Sequence, residues 1–235
     1  MGGLMTERFR DRADAGKQLA AALSEYADKP RVRILALPRG GVPVAYEVAC
    51  ALHAPLDVFI VRKLGVPGRE ELAMGAIASG GVVILNQDVI NALRISDYAV
   101  DEVTRAELSE LHRRERHYRG DRPAPDIAGN DVIVVDDGLA TGSTMQAGIA
   151  ALREENPRSI VVAVPVAARE TCDVFRAEVD DVVCVRMPEP FQAVGLWYDN
   201  FSQTTDEEVQ HLLDAARDCV HTVATAAERP VRKRK

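Results

Sequence analysis

Four consecutive β-branched residues running straight into two adjacent carboxylates constrain this chain more than any other feature. In VIVVDDGLATGST, residues 132–144, the run Val132, Ile133, Val134 and Val135 has the density of a strand covered on both faces. Asp136 and Asp137 follow where that strand should end, and Gly138 and Gly142 let the backbone bend without a Cβ penalty. Thr141, Ser143 and Thr144 bring hydroxyls to the start of MQAGIAALREE, whose composition is helix-forming. The N–H groups of such a turn, aimed along a helix N-terminus, form a cradle for a phosphate. Two carboxylates beside it would repel a bare phosphate, so they must face sugar hydroxyls or the waters around a Mg²⁺. A ribose 5-phosphate unit fits that shape, with its phosphate in the turn and its 2- and 3-hydroxyls on the acids. An ordinary βα turn with capping hydroxyls uses the same ingredients, but seldom all of them at once.

The stretch resembles the phosphoribosyl pyrophosphate (PRPP) signature of type I phosphoribosyltransferases along its whole length. The resemblance implies that Asp136 and Asp137 hold the ribose hydroxyls and that Ala140, Thr141, Gly142, Ser143 and Thr144 hold the 5-phosphate. It also implies a Mg²⁺-dependent reaction in which Asp137 takes part and Asp136 approaches the metal through water. In the hypoxanthine-guanine branch the position of Ala140 is an Asp that serves as base to a 6-oxopurine. The alanine here argues against simple guanine or hypoxanthine salvage, and DDGLATGST is closer to the adenine branch.

A second turn of the same kind lies upstream. Val32–Leu37 reads as a strand and AYEVACAL as a helix, with PRGGVP between them. That junction makes another anion cradle, and Arg39 adds a fixed charge with a two-pronged donor. A plain glycine turn with a surface arginine is the competing reading. The family places a pyrophosphate-binding loop after its first core strand, which implies that role for Arg39, Gly40 and Gly41. RGG resembles xanthine-type members, and the resemblance implies a cis non-proline peptide at Arg39–Gly40 or its neighbour.

Leu56–Val61 is the next expected strand, followed by RKLGVPGREELAMGAIASGG at 62–81. A loop of this length is usually functional or mobile, while an exposed charged hairpin is the alternative. RK-x-G-x-PG resembles the flexible loop of adenine-type enzymes. By that resemblance Arg62 and Lys63 meet pyrophosphate as residues 63–79 close, with Glu70 or Glu71 as the loop glutamate near the base.

Gly81–Leu85 reads as a short strand and 86–119 as mostly helical. The helix DEVTRAELSELHRRERHYRG carries charge nearly all round, with a thin line of Val103, Leu108 and Leu111, which suits a solvated face or a partner contact, a homodimer among them. His112 and His117 miss the i, i+4 spacing of zinc ligands and read as surface residues. Later, Ser159–Val166 and Asp181–Val185 read as strands around a helix at 168–178. The segment PEPFQAVGLWYDNF, 188–201, gathers Phe191, Trp197, Tyr198 and Phe201, either as core or as a face for a flat heterocycle. FQAVGLWYD resembles the late segment of hypoxanthine-guanine enzymes, which implies base stacking for Phe191 and Mg²⁺–pyrophosphate contact for Asp199, although the Phe191–Asp199 spacing is one residue longer.

Alternating strands and helices describe an α/β chain: a parallel sheet with helices on both faces. The expectation is a single domain over 1–235, with a helical insertion at about 86–120, a hood formed largely by about 186–205, and a disordered basic tail at 228–235. A net charge of −7 leaves no nucleic-acid footprint. No stretch approaches the ~18 apolar residues of a membrane span. Cys50, Cys172, Cys184 and Cys219 are widely spaced, which suits reduced thiols in a cytoplasmic protein. The function implied is transfer of the phosphoribosyl group of PRPP to a nitrogen of a nucleobase-like acceptor; the alternative is a PRPP-binding sensor without turnover.

Overall fold

The computed structural model of the chain describes residues 8–227; the MGGLMT start and the tail at 228–235 lie outside them. In chain order the elements are α1 (Arg12–Ala22), β1 (Val32–Ala36), α2 (Gly41–Leu52), β2 (Leu56–Val58) and β3 (Val61–Val66). Next come β4 (Arg69–Ala78), β5 (Val82–Leu85), α3 (Gln87–Leu93), α4 (Asp97–Arg119) and β6 (Asp131–Val135). The chain continues through α5 (Ser143–Glu154), β7 (Ser159–Val166), α6 (Arg169–Arg176), β8 (Asp181–Arg186) and α7 (Asp206–Ala227). No helix among the described residues is long and apolar enough to cross a membrane.

Five strands pair in parallel in the order β2–β1–β6–β7–β8. Successive side chains of a strand point to opposite faces. Ile34, Ile133, Val135 and Val161 accordingly pack with Leu19 of α1 and Val48 and Leu52 of α2. Leu35, Val132, Val134 and Val162 go to the other face, against Met145, Ile149 and Leu152 of α5 and Phe175 of α6. Every residue of β6 is buried, and each large apolar side chain so placed contributes ~1.5–3 kcal/mol. The strand's one charged residue, Asp131, is answered by Arg158 Nε and Ser159 Oγ, both at 2.7 Å.

β1 leads through α2 to β2 on one side, and β6 leads through α5 to β7 on the other. The winding therefore reverses between β1 and β6, and ligand crevices form at such a reversal beyond the carboxyl ends of the strands. The two turns singled out in the sequence both emerge there.

Several expectations change. The strand expected over Leu56–Val61 stops at Val58. The Phe59 N–H still donates to Ala36 O at 2.9 Å, but Ile60 turns to Ser79, donating to its Oγ at 3.0 Å and accepting from its N–H at 2.8 Å. The chain thereby leaves the main sheet for a second, antiparallel one of order β3–β4–β5. The stretch 62–81, read as a functional or mobile loop with an exposed charged hairpin as the alternative, is thus mostly a hairpin turning at Pro67 and Gly68. The apolar line of α4 packs inward: Leu111 is fully buried, and Val103 and Leu108 lie on the core shared with α2.

The cysteines are the largest correction. Cys50 of α2 and Cys219 of α7 form a disulfide across 169 residues, with Cα atoms 5.0 Å apart. No spacing cue announces so distant a pair; it arises from the packing of α7 along α2. Cys172 and Cys184 remain thiols. Thiol titration of the denatured chain should find two reactive sulfhydryls before reduction and four after it; four before reduction would eliminate the bridge.

Candidate functional site

Register places Ala36 beside Val135, so the residues after β1 and the residues after β6 emerge as neighbours. The Leu37 N–H continues the pairing, donating to Val135 O at 2.9 Å. Beyond it lies a cis peptide at Pro38–Arg39, the neighbour of the bond expected to carry it. Gly40 then passes so close to the acid pair that a Cβ there would stand 2.1 Å from Asp137 Oδ2. Only a residue without a side chain admits that approach.

The turn after β6 encloses a cavity of about 180 Å³ lined by Asp136, by residues 138–145 and by Val194 of the aromatic segment 188–201. Gly142, with φ of +70°, is the N-cap of α5, and no side chain caps that helix. Its first-turn N–H groups are the ones a helix leaves without intrahelical acceptors. The helix macrodipole adds a partial positive charge at the same place. Thr171 fixes the turn from α6, its Oγ1 donating to Ala140 O at 2.5 Å. A region with free backbone donors and positive potential, bordered by one carboxylate, suits a phosphate bearing a hydroxylated neighbour.

The two carboxylates divide their surroundings. Asp136 lines the cavity and accepts the Asp137 N–H at 2.8 Å. Burial, then the neighbouring Asp137 charge, push its carboxyl well above the ordinary range. Asp137 is turned the other way, its side chain 14% exposed, with its Oδ2 held by Arg12 Nε at 2.8 Å. Burial raises this carboxyl too, against the opposing pull of Arg12. Tyr198 donates its hydroxyl to Asp137 O at 2.6 Å. Burial and the Asp137 charge drive that phenol upward.

Of the residues named from sequence, Asp136, Ala140, Thr141, Gly142, Ser143 and Thr144 share one cavity, and Gly40 and Gly41 pack against the acids. Lys63 borders a second cavity of about 150 Å³ together with Ser143 and Thr144, while its Nζ lies 3.7 Å from Glu71. Arg39 reaches Asp206 at the start of α7, 3.7 Å away. Other residues are not brought in. Arg62 pairs with Glu107 of α4 and is absent from the two cavities at the α5 turn. Glu70 accepts the Gly68 N–H within the hairpin turn. Phe191 packs on the cluster of Phe9, Ala15, Val166 and Tyr198. Asp199 is exposed, its N–H donating to Phe9 O at 2.8 Å. Arg12 was not singled out, because a contact spanning 125 residues leaves no local pattern.

Comparison with known proteins agrees with this geometry. The model of the phosphoribosyl transferase domain matches residues 6–199. Two Mycobacterium tuberculosis proteins, from strains CDC 1551 and H37Rv, carry the provisional name phosphoribosyl transferase. Each is 46% identical over 227 residues, covering 95% of this chain and 51% of the relative. The chain therefore spans about half the length of these relatives. A solved structure from Thermus thermophilus, that of the protein TT1426, superposes with a TM-score of 0.76 at 42% identity, over 88% of this chain and 97% of that one.

The raised Asp136 carboxyl has a consequence for stability. The folded chain binds this proton more tightly than the unfolded chain, so stability is lost as pH rises from the ordinary carboxylate range through the raised value. Asp136→Asn removes the ionisation and keeps an oxygen for the Asp137 N–H. It should raise stability at neutral pH by ~1–3 kcal/mol, a gain that fades on acidification to about pH 4. Thermal unfolding across that range checks it; no gain at neutral pH sinks the desolvation account.

Proposed function

Since the chain belongs to the phosphoribosyl transferase family, we propose that it moves the phosphoribosyl group of PRPP to a nitrogen of a nucleobase-like acceptor, releasing pyrophosphate. The observation that carries this reading is the cavity joining Asp136 to the backbone turn at the N-terminus of α5. The turn receives the 5-phosphate on its free N–H groups, and Asp136 meets the ribose hydroxyls with Asp137 beside it. Hydroxyl donors and a nearby cation stabilise the charged form of Asp136, so ligand and carboxylate relieve each other's desolvation.

Departure of pyrophosphate leaves positive charge on the ribose ring. The protein then needs no covalent nucleophile; it holds the sugar, neutralises the leaving group and keeps water away. Positioning alone is worth up to ~7–11 kcal/mol in well-oriented systems. Arg39 supplies fixed charge at the turn after β1, and Lys63 approaches the α5 turn from β3. The hairpin of β3 and β4 is the element that excludes solvent. Among the described residues no group of three His, Cys, Asp or Glu side chains forms a metal cage. A Mg²⁺ that keeps waters and substrate oxygens suits a single hard carboxylate such as Asp136. When bound, it would offset pyrophosphate charge.

Ala140 provides no side-chain base, which favours an adenine-like acceptor or another amine over a 6-oxopurine. The Arg62–Glu107 pair favours a second reading, a PRPP-binding regulator without turnover, because it withholds an arginine from pyrophosphate. Replacing Asp136 and Asp137 together by Ala should abolish PRPP binding in calorimetry; unchanged affinity would dispose of the site. A screen of purines, pyrimidines and small amines for PRPP-dependent pyrophosphate release separates the two readings. Release with one acceptor marks a transferase, and binding without release for all of them marks a regulator.

A further inference from the structure

One buried guanidinium joins the hood segment to the acid pair, and the transfer reading leaves it without a role. Arg12, in the first turn of α1, donates from Nε to Asp137 Oδ2 and has Nη2 beside the same oxygen, each at 2.8 Å. Its Nη1 donates to Ser202 O at 2.6 Å, and its Cζ stands 3.9 Å from the centre of the Phe201 ring. With its side chain only 11% exposed, this charge has exchanged most of its water for those partners. A guanidinium is suited to such a place because its planar fork serves several acceptors while its face stacks on a ring.

The surroundings form one connected body. Phe201 packs on Tyr198 with centroids 5.0 Å apart and planes tilted by 35°, and Tyr198 on Phe9 at 5.4 Å and 39°. Arg186 covers Phe9 at 3.8 Å. Phe9 is tied by backbone to the hood segment, donating to Trp197 O at 2.9 Å and accepting from Asp199 N–H at 2.8 Å. Residues 9–12 and 197–202 are thus tied together, and Asp137 sits at their edge, held at its carboxylate by Arg12 and at its carbonyl by Tyr198. Gly40 closes the remaining side, within van der Waals reach of Asp137 Oδ2.

We propose that Arg12 is a positioning residue that fixes Asp137 to the hood segment, so that Asp136 meets the sugar phosphate while Asp137 holds the hood over it. The inference rests on the PRPP reading and deepens it by giving the two acids different tasks. Asp136 reaches the cavity; Asp137 reaches substrate only through what it holds in place. Truncating Arg12 leaves Asp137 without its guanidinium and lets the 197–202 segment shift, although Arg12 does not line the cavity.

The test uses calorimetry with PRPP and Mg²⁺, together with the emission of Trp197, the only tryptophan in the chain, whose indole Nε1 is buried without a hydrogen-bond partner. Arg12→Met should weaken PRPP binding on the order of tenfold to a hundredfold, as loss of an outer-shell support does elsewhere. Asp137→Asn should weaken it similarly, and the double variant should bind no worse than the weaker single one, because both remove one link. Arg12→Met should also change Trp197 emission without ligand, whereas Asp136→Asn should lose PRPP binding and leave that emission unaltered. Arg12→Lys, which keeps the charge but cannot span Asp137 and Ser202 together, should bind PRPP with intermediate affinity and stands in if the methionine variant does not fold. Wild-type affinity in both Arg12 variants, or losses that add in the double variant, overturn the inference alone. A wild-type chain that gives no heat with PRPP overturns the underlying reading and the inference with it.

Discussion

Desolvation of two adjacent carboxylates at the end of a buried strand is the constraint to which the rest of the structure answers. Removing a carboxylate from water is expensive unless donors or cations replace the solvent. The protein answers half of that demand itself. Asp137 receives a guanidinium, and its carbonyl a phenol hydroxyl. Asp136 receives one backbone N–H, and its raised carboxyl records what is left unanswered. A group kept in that condition destabilises the empty protein and gains from a ligand rich in donors. Such local conflict between stability and environment is expected at functional sites and rare elsewhere.

The parallel sheet turns this chemistry into a site. All five strands deliver their carboxyl ends to one edge, and the reversal of winding between β1 and β6 opens a crevice there. Into it come the acids, the free N–H groups of α5 and the glycine turn before α2. Each has a different physical origin: strand end, helix end and steric allowance. Their coincidence depends on β1 and β6 being adjacent, so any register slip in that pair would separate them. A one-residue shift would also take Asp131 away from Arg158 and Ser159, which answer its charge in the present register.

What was legible in the sequence is what local physics determines. The strand at Ser159–Val166 has the bounds read from its apolar run, and the DD–turn–helix unit lies as its composition implies. The hairpin was harder to see because its buried residues, Leu64, Val66, Met74 and Ile77, are separated by charges and glycines that resemble a loop. The alternation expected of a half-buried strand is broken by the register shifts at Leu64–Gly65 and Gly65–Val66 and by the Pro-Gly turn. The disulfide and the Arg12–Asp137 contact span 169 and 125 residues. Cys50, Cys219 and Arg12 sit on helices with no local mark of their distant partners, so only the folded arrangement reveals the pairs.

The aromatic segment shows how one composition serves two ends. Phe191, Trp197, Tyr198 and Phe201 look like a stacking surface for a flat ligand, yet the structure gives their faces to other groups. Arg186, Phe9, Tyr198, Phe201 and Arg12 form a continuous row in which cations lie over the two outer members of three mutually tilted rings. Cation–ring contacts strengthen when water is excluded, and here both guanidinium groups are largely enclosed. The rings therefore hold arginines, and through them the hood segment and an acid, in place of holding a base. From this segment it is Val194, an apolar side chain, that reaches the cavity beside Asp136.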